Sequence, residues 1–243
     1  MKLLAVETST EACSVALWID GQVHERFEIA PRRHTELVLP WAGELLAEAG
    51  ICKSQLDAIA VGRGPGAFTG VRLAVALVQG MALALDRPVV PVSTLAALAL
   101  QAAMPVHTAQ QAGEQDPCIL AAIDARMGEL YLGLFRRDAQ QLLVALADEW
   151  MALPSAPNVP TTARLIGVGS GFSADAQALV PALGETLEHF DAEALPHAAD
   201  IARLAALAFA RGEAIAADML EPAYLRNKVA LTLTEQATAR RDR

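Results

Sequence analysis

Between an apolar run and a segment of helical composition, the chain reads Gly62-Arg63-Gly64-Pro65-Gly66-Ala67-Phe68-Thr69-Gly70. Glycine-rich turns at a helix start often cradle phosphate with backbone N–H groups. A Walker loop would place Lys and a hydroxyl after its last glycine, but Val71 and Arg72 follow Gly70. A dinucleotide fingerprint needs G-x-G-x-x-G. Counting from Gly64 puts Thr69 at the last glycine, and counting from Gly62 puts Ala67 there. Pro65 sits inside the turn, and Asp86, twenty residues after Gly66, falls at a helix end. The glycines therefore read as a tight strand-to-helix reversal, open to positive φ angles.

Carboxylates are the next candidates. Glu7 ends the first apolar run beside Thr8 and Ser9, and Asp124 holds a comparable place in the second half. Facing each other across a cleft, they could hold magnesium for phosphoryl transfer; as solvated strand ends they would do no chemistry. His34-Thr35-Glu36 and Pro117-Cys118 match pieces of a zinc deaminase, but Ala121 stands where the second cysteine belongs. His24, His107, His189 and His197 show neither H-E-x-x-H nor H-x-x-x-H spacing, so no metal site is expected. Gly169-Ser170-Gly171 is one residue too tight for a nucleophile elbow. Cys13, Cys52 and Cys118 are odd in number and far apart, which reads as buried thiols in a cytoplasmic protein.

The elements that would carry these residues follow from periodicity. Strands are expected at 3–9, 12–19 and 22–29, the last two joined by a type I′ turn at Asp20-Gly21. A helix follows over about 34–49, started or kinked by Pro40, then a strand at 56–62 and a helix over about 70–85 stopped by Asp86-Arg87-Pro88. A short strand at 89–93 and a helix from Thr94 close the first half, and the polar stretch 104–117 reads as a loop between domains. The pattern then recurs: CILAAIDAR, GELYLGLFRR and QLLVAL as strands, ARLIGVGSGF as a strand running into a turn and an Ala-rich helix, and an amphipathic helix over 200–212 before a polar, frayed tail. Two lobes are expected, 1–104 and 105–243, with the last helix able to pack back on the first lobe.

From Val71 to Leu85 only Arg72 and Gln79 are polar. A helix apolar on every side is normally covered on every side, and the helix before it, with Leu37, Val38, Trp41 and Leu45, also exceeds one stripe. The two form an expected partner or dimer surface made by His34, Leu37, Val38, Trp41, Leu45, Val71, Arg72, Leu73, Val75 and Val78. Arg72, a cation in the first helical turn, opposes the helix dipole, and an acid from elsewhere is expected to relieve it. No run reaches the length of a membrane span, and a net charge of −9 argues against a principal nucleic-acid binder.

LLAVETST, His34-Thr35-Glu36 leading to Leu39-Pro40, GRGPGAFTGVRLA, IDARMGELYLGLF and Pro222-Ala223-Tyr224-Leu225-Arg226 together resemble the TsaB family of bacterial tRNA threonylcarbamoyladenosine biosynthesis subunits. The resemblance implies the two-lobed α/β fold of actin, sugar kinases and Hsp70 (ASKHA), each lobe a mixed sheet flanked by helices. It implies a subunit with no catalytic residues and no metal, supporting a TsaD-like catalytic paralogue and a TsaE-like ATPase in the transfer of threonylcarbamoyl to tRNA adenosine. It further implies a homodimer when alone, joined through the two first-lobe helices; tRNA reached only through the complex; ATP and magnesium used by the complex, with none held tightly by this chain; and no membrane partner. Glu7, Thr8, Ser9 and Asp124 would mark a vestigial nucleotide cleft. Two other readings stay open: a stand-alone ATP-dependent small-molecule kinase of the same fold, with Glu7 and Asp124 around magnesium, and a peptidase, which would require zinc.

Overall fold

The computed structural model describes residues 1–104, 116–174 and 178–226. The expected interdomain loop, part of the Ala-rich helix and the polar tail lie largely outside these residues.

Continuous apolar runs, buried on both faces in LLAVE and AIAVG, build a first sheet of β1 (Lys2–Glu7), β2 (Ala12–Ile19), β3 (Gln22–Ile29), β4 (Ala58–Gly62) and β5 (Val89–Val92). Its order is β3-β2-β1-β4-β5. The first three strands run antiparallel, whereas β4 and β5 join in parallel. Asp20 and Gly21 both take positive φ, +47° and +100°, as a type I′ turn requires. The second sheet contains β6 (Cys118–Arg126), β7 (Glu129–Arg137), β8 (Leu143–Ala145), β10 (Leu165–Val168) and β11 (Leu187–Asp191), with β9 (Trp150–Ala152) also paired to β7. Read from its antiparallel side, the order β8-β7-β6-β10-β11 repeats that of the first sheet. The architecture is thus duplicated, although the strand expected over QLLVAL shrinks to three residues.

Because successive side chains of a strand point to opposite faces, each sheet has two separate cores. Leu4, Val6, Val15, Leu17, Ile59 and Val61 meet α1 (His34–Glu48) and α2 (Phe68–Leu85) on one face of the first sheet. Leu3, Ala5, Ala16, Ala58 and Ala60 meet α5 (Ala198–Ala210) on the other, where alanines let the helix approach closely. Conversely α3 (Thr94–Ala99) packs Leu95 and Leu98 on Ile119 and Ala121 of the second sheet, whose opposite face takes Phe172 and α4 (Leu179–Leu183). A line at residue 104 therefore separates the sheets but not the layers, since α3 and α5 each cover the sheet of the other half. The Ala-rich helix amounts to the five residues of α4 within the described chain.

The start of α5 is tied to the first sheet. Ser14 Oγ accepts from Ala198 N at 2.8 Å, Glu25 accepts from Ala199 N at 2.9 Å and pairs with His197 Nδ1 at 2.9 Å, and Phe27 stacks on the imidazole at 4.1 Å. Acceptors and negative charge at a helix N-terminus satisfy its free N–H groups. The Glu25 hydrogen bond holds the His197 imidazolium above its ordinary pKa.

Two helix expectations change. Helix α1 begins at His34 and runs through Pro40 without interruption. Pro40 lies inside the helix, where it removes one backbone donor, and its ring is exposed. Helix α2, at 18 residues, is long and apolar enough to cross a bilayer by length and composition, contrary to the sequence expectation. Val71, Ala74, Val75, Val78 and Ala82 nevertheless build one side of it into the first core.

Candidate functional site

The end of β1 is a closed junction. Glu7, Thr8 and Ser9 are all buried. Glu7 accepts from Ser9 N at 2.5 Å through one oxygen and from the Thr94 hydroxyl at 3.0 Å through the other. Burial pushes its carboxyl above the ordinary value of 4.5, against the pull of those donors. The glycine turn is laid over this junction at distances that exclude a side chain. A Cβ on Gly62 would stand 1.8 Å from Glu7 Oε2, one on Gly66 2.5 Å from Ser9 O, and one on Gly70 2.0 Å from Thr8 O. Ala67 N donates to Ser9 O at 2.7 Å and Thr8 Oγ1 to Gly70 O at 2.8 Å. The glycines are thus a packing device.

Asp124 is placed differently from Glu7. Val6 pairs with Val61 as Ala121 pairs with Val168, so the second-sheet counterpart of Glu7 is Ala122, and Asp124 corresponds to Ser9. The sequence comparison of the two acids is two residues out of register because β6 continues further than β1 before its turn. Asp124 lines a cleft of about 900 Å³ between the lobes, while Glu7 is not among its walls. The two carboxylates do not share this cleft, so they do not form the magnesium cradle that the kinase alternative needs. Asp124 pairs instead with Arg126 at 3.1 Å. Among the described residues no group of three or more His, Cys, Asp or Glu is arranged to hold a metal ion.

His34 starts α1 buried, with Nε2 at 3.1 Å from Thr10 O and 3.2 Å from Ala12 O. Two carbonyl partners fix the proton on Nε2, and the ring holds the β1–β2 connection against the helix. Of the other expected surface residues, Val38, Leu45, Val71, Val75 and Val78 are enclosed in the core beneath α1 and α2. They are corrected to core residues: apolarity on all sides of a helix does not reveal which side meets the sheet. Leu37 and Trp41 are half-buried at the edge of that core, and Leu73 is half-buried on α2. Arg72 is relieved by rings instead of an acid. Its guanidinium lies 3.3 Å from the Phe68 ring centroid and 4.9 Å from that of Tyr224, whose hydroxyl accepts from Nη2 at 3.0 Å.

The outward side of the helix pair is a different set. On α2, Ala76, Gly80, Leu83 and Ala84 are exposed at helical spacing, with Phe68 at the N-terminal end. On α1, Leu39, Gly43 and Ala47 are also exposed at helical spacing. Leu83 is 67% exposed, Phe68 62% and Leu39 50%. Large side chains at the ends of two small-residue rows leave a shallow apolar face that a partner helix could approach closely. The small residues Ala76, Gly80 and Ala84 are legible in the sequence as places where a partner helix can come close, whereas Leu83 and Phe68 are not singled out, because a count of apolar residues carries no direction until the buried valines fix the register.

Comparisons with known proteins bear on both regions. The family model described as tRNA N6-adenosine threonylcarbamoyltransferase (TsaD) matches residues 22–232. The tRNA threonylcarbamoyladenosine biosynthesis protein TsaB of Escherichia coli is 39% identical over 238 residues, covering 95% of this chain and 96% of that one. Its namesake in Haemophilus influenzae is 38% identical, covering 94% and 95%. Among solved structures, a Pseudomonas aeruginosa protein described as uncharacterized and similar to peptidase YeaZ superposes with a TM-score of 0.80 at 41% identity, over 93% of this chain and 99% of its own.

Proposed function

From the premise that this chain belongs to the TsaB group of the threonylcarbamoyltransferase-related family, with a role in tRNA threonylcarbamoyladenosine biosynthesis, we propose that it acts as a non-catalytic, partner-binding subunit. It supports a TsaD-like catalytic paralogue, together with a TsaE-like ATPase, in a cytoplasmic complex that uses ATP and magnesium to modify tRNA. In isolation it forms a homodimer through the same surface, and it meets tRNA only through the complex.

The observation that carries this reading is the exposed apolar face of α1 and α2, centred on Leu83, Gly80 and Ala76 of α2 and Leu39 and Gly43 of α1. Exposed rows of this kind are costly to leave in water and suit a helix-on-helix interface. The burial of Glu7 under the glycine turn supports the same reading, since it withdraws from the cleft the acid that a kinase of this fold would use. Leu83→Glu is expected to abolish co-purification with the catalytic paralogue and to leave the melting temperature within a degree or two of wild type. A charge in a desolvated contact costs several kcal/mol of binding, whereas on an exposed face it costs little. If the complex elutes unchanged from a sizing column with Leu83→Glu and Leu73→Arg combined, this surface is not the interface.

A further inference from the structure

The Pro222-Ala223-Tyr224-Leu225-Arg226 motif has no place in the reading above, yet it touches both lobes. Leu220 sits in the core beside α2, and its carbonyl accepts from Gln79 Nε2 at 3.1 Å. Ala223 N donates to Arg63 O at 2.8 Å, and Tyr224 is held by Arg72 as described. Up to this point the segment belongs to the first lobe. Arg226 then crosses to the β6–β7 turn of the second. Its Nη2 lies 2.7 Å from Glu129 Oε2, 3.2 Å from Ala125 O and 3.3 Å from Arg126 O, and Nη1 lies 2.9 Å from Met127 Sδ. The side chain is only 17% exposed. Residues 222–226 form part of the wall of the interlobe cleft.

We propose that residues 220–226 are a latch across the cleft mouth, with Arg226 fixing the separation of the two lobes. The guanidinium sets two nitrogens on the turn, Nη2 shared among the Glu129 carboxylate and two carbonyls and Nη1 on Met127 Sδ, whereas an ammonium offers only one nitrogen. The turn it grips has three successive residues in the left-handed region, Arg126, Met127 and Gly128, at φ +63°, +59° and +74°. Such a turn gains from an outside partner that holds its carbonyls. Elsewhere the two halves are joined through packed elements, with α3 on the second sheet and α5 on the first; the latch is a thin contact at the cleft wall. The inference does not depend on the proposed partner role.

Hydrogen exchange followed by mass spectrometry on the full chain tests it. In Arg226→Ala, peptides covering 124–130 and 220–226 are expected to exchange about tenfold faster, with peptides from β1, β4 and α5 unchanged. Small-angle scattering should show a larger radius of gyration. Unchanged exchange at 124–130 would overturn the latch. So would faster exchange spread over the whole chain, which would make Arg226 a general stability contact. If Arg226→Ala does not fold, Arg226→Lys keeps the charge, removes the fork and is read by the same two outcomes.

Discussion

The two sheets share one strand order, but their central strands do not end alike. In the first, β1 stops at a buried carboxylate roofed by the glycine turn after β4. In the second, the turn after β10 presses on β6 in a corresponding way: a Cβ on Gly169 would stand 2.4 Å from Ala122 O, and one on Gly171 2.6 Å from Ala122 Cβ. There the strand carries on past the roof into an exposed hairpin bearing Asp124 and Arg126. Duplicated topology thus preserves the close packing of a glycine turn on the central strand. What it does not preserve is the polar group at the strand end, which is sealed in one lobe and open to the cleft in the other.

The largest effect should come from breaking the seal. Gly70→Ala places a methyl 2.0 Å from a backbone oxygen of a buried residue, so main chain must move. Overpacking of this kind costs typically 1–3 kcal/mol and sometimes more, and a loss of about 3 kcal/mol is expected in urea unfolding. Gly128→Ala, in the exposed hairpin, meets nothing within 4 Å. It carries only the left-handed backbone penalty, of about 1 kcal/mol. Equal losses at the two positions would show that the closed and open ends are not the difference drawn here.

Much of this was legible in the residues. Short apolar runs gave the strands of both sheets, Asp20-Gly21 gave the hairpin, and the residues at Val71, Arg72 and Thr69, with Pro65 inside the turn and Asp86 at a helix end, removed the phosphate-loop readings of the glycine turn. The register between lobes was not legible, because nothing in LLAVETS or CILAAIDAR marks where the parallel neighbour stops pairing. That is how Glu7 came to be matched with Asp124. Nor could composition orient α2: with thirteen or more apolar positions available, Val75 and Leu83 look equivalent until the sheet selects one side. Arg72 was singled out for a real reason, the helix dipole, but its partners lie at Phe68 and Tyr224, the latter 152 residues away.

A smaller effect concerns the sealed acid. The folded pKa of Glu7 is raised by burial above 4.5. The folded state therefore binds the proton more tightly than the unfolded chain, and stability present below about pH 4.5 is lost as pH rises toward the folded pKa. Glu7→Gln cannot ionise and keeps an oxygen to accept from Ser9 N. Its melting temperature relative to wild type should climb between pH 4 and pH 8, by a few degrees in all. A constant offset across that range would mean that Glu7 stays charged when folded.

The smallest expected effect sharpens the comparison from the open side. Met127 and Gly128 form the two central residues of the β6–β7 turn, both with positive φ. Type I′ turns favour Asn or Asp in the first of these positions, as the β2–β3 hairpin has with Asp20, and methionine is an expensive occupant of left-handed space. Met127 is also 84% exposed, so little packing would be lost with its side chain. Met127→Asn should raise stability by about 0.5 kcal/mol, within the range that turn optimisation usually yields. It does give up the contact of Met127 Sδ with Arg226. If that contact matters more than the backbone strain, Met127→Asn will destabilise, and the gain will appear only when Arg226→Ala is already present. Measuring both backgrounds separates the strain of the open turn from the grip of the segment that crosses to it.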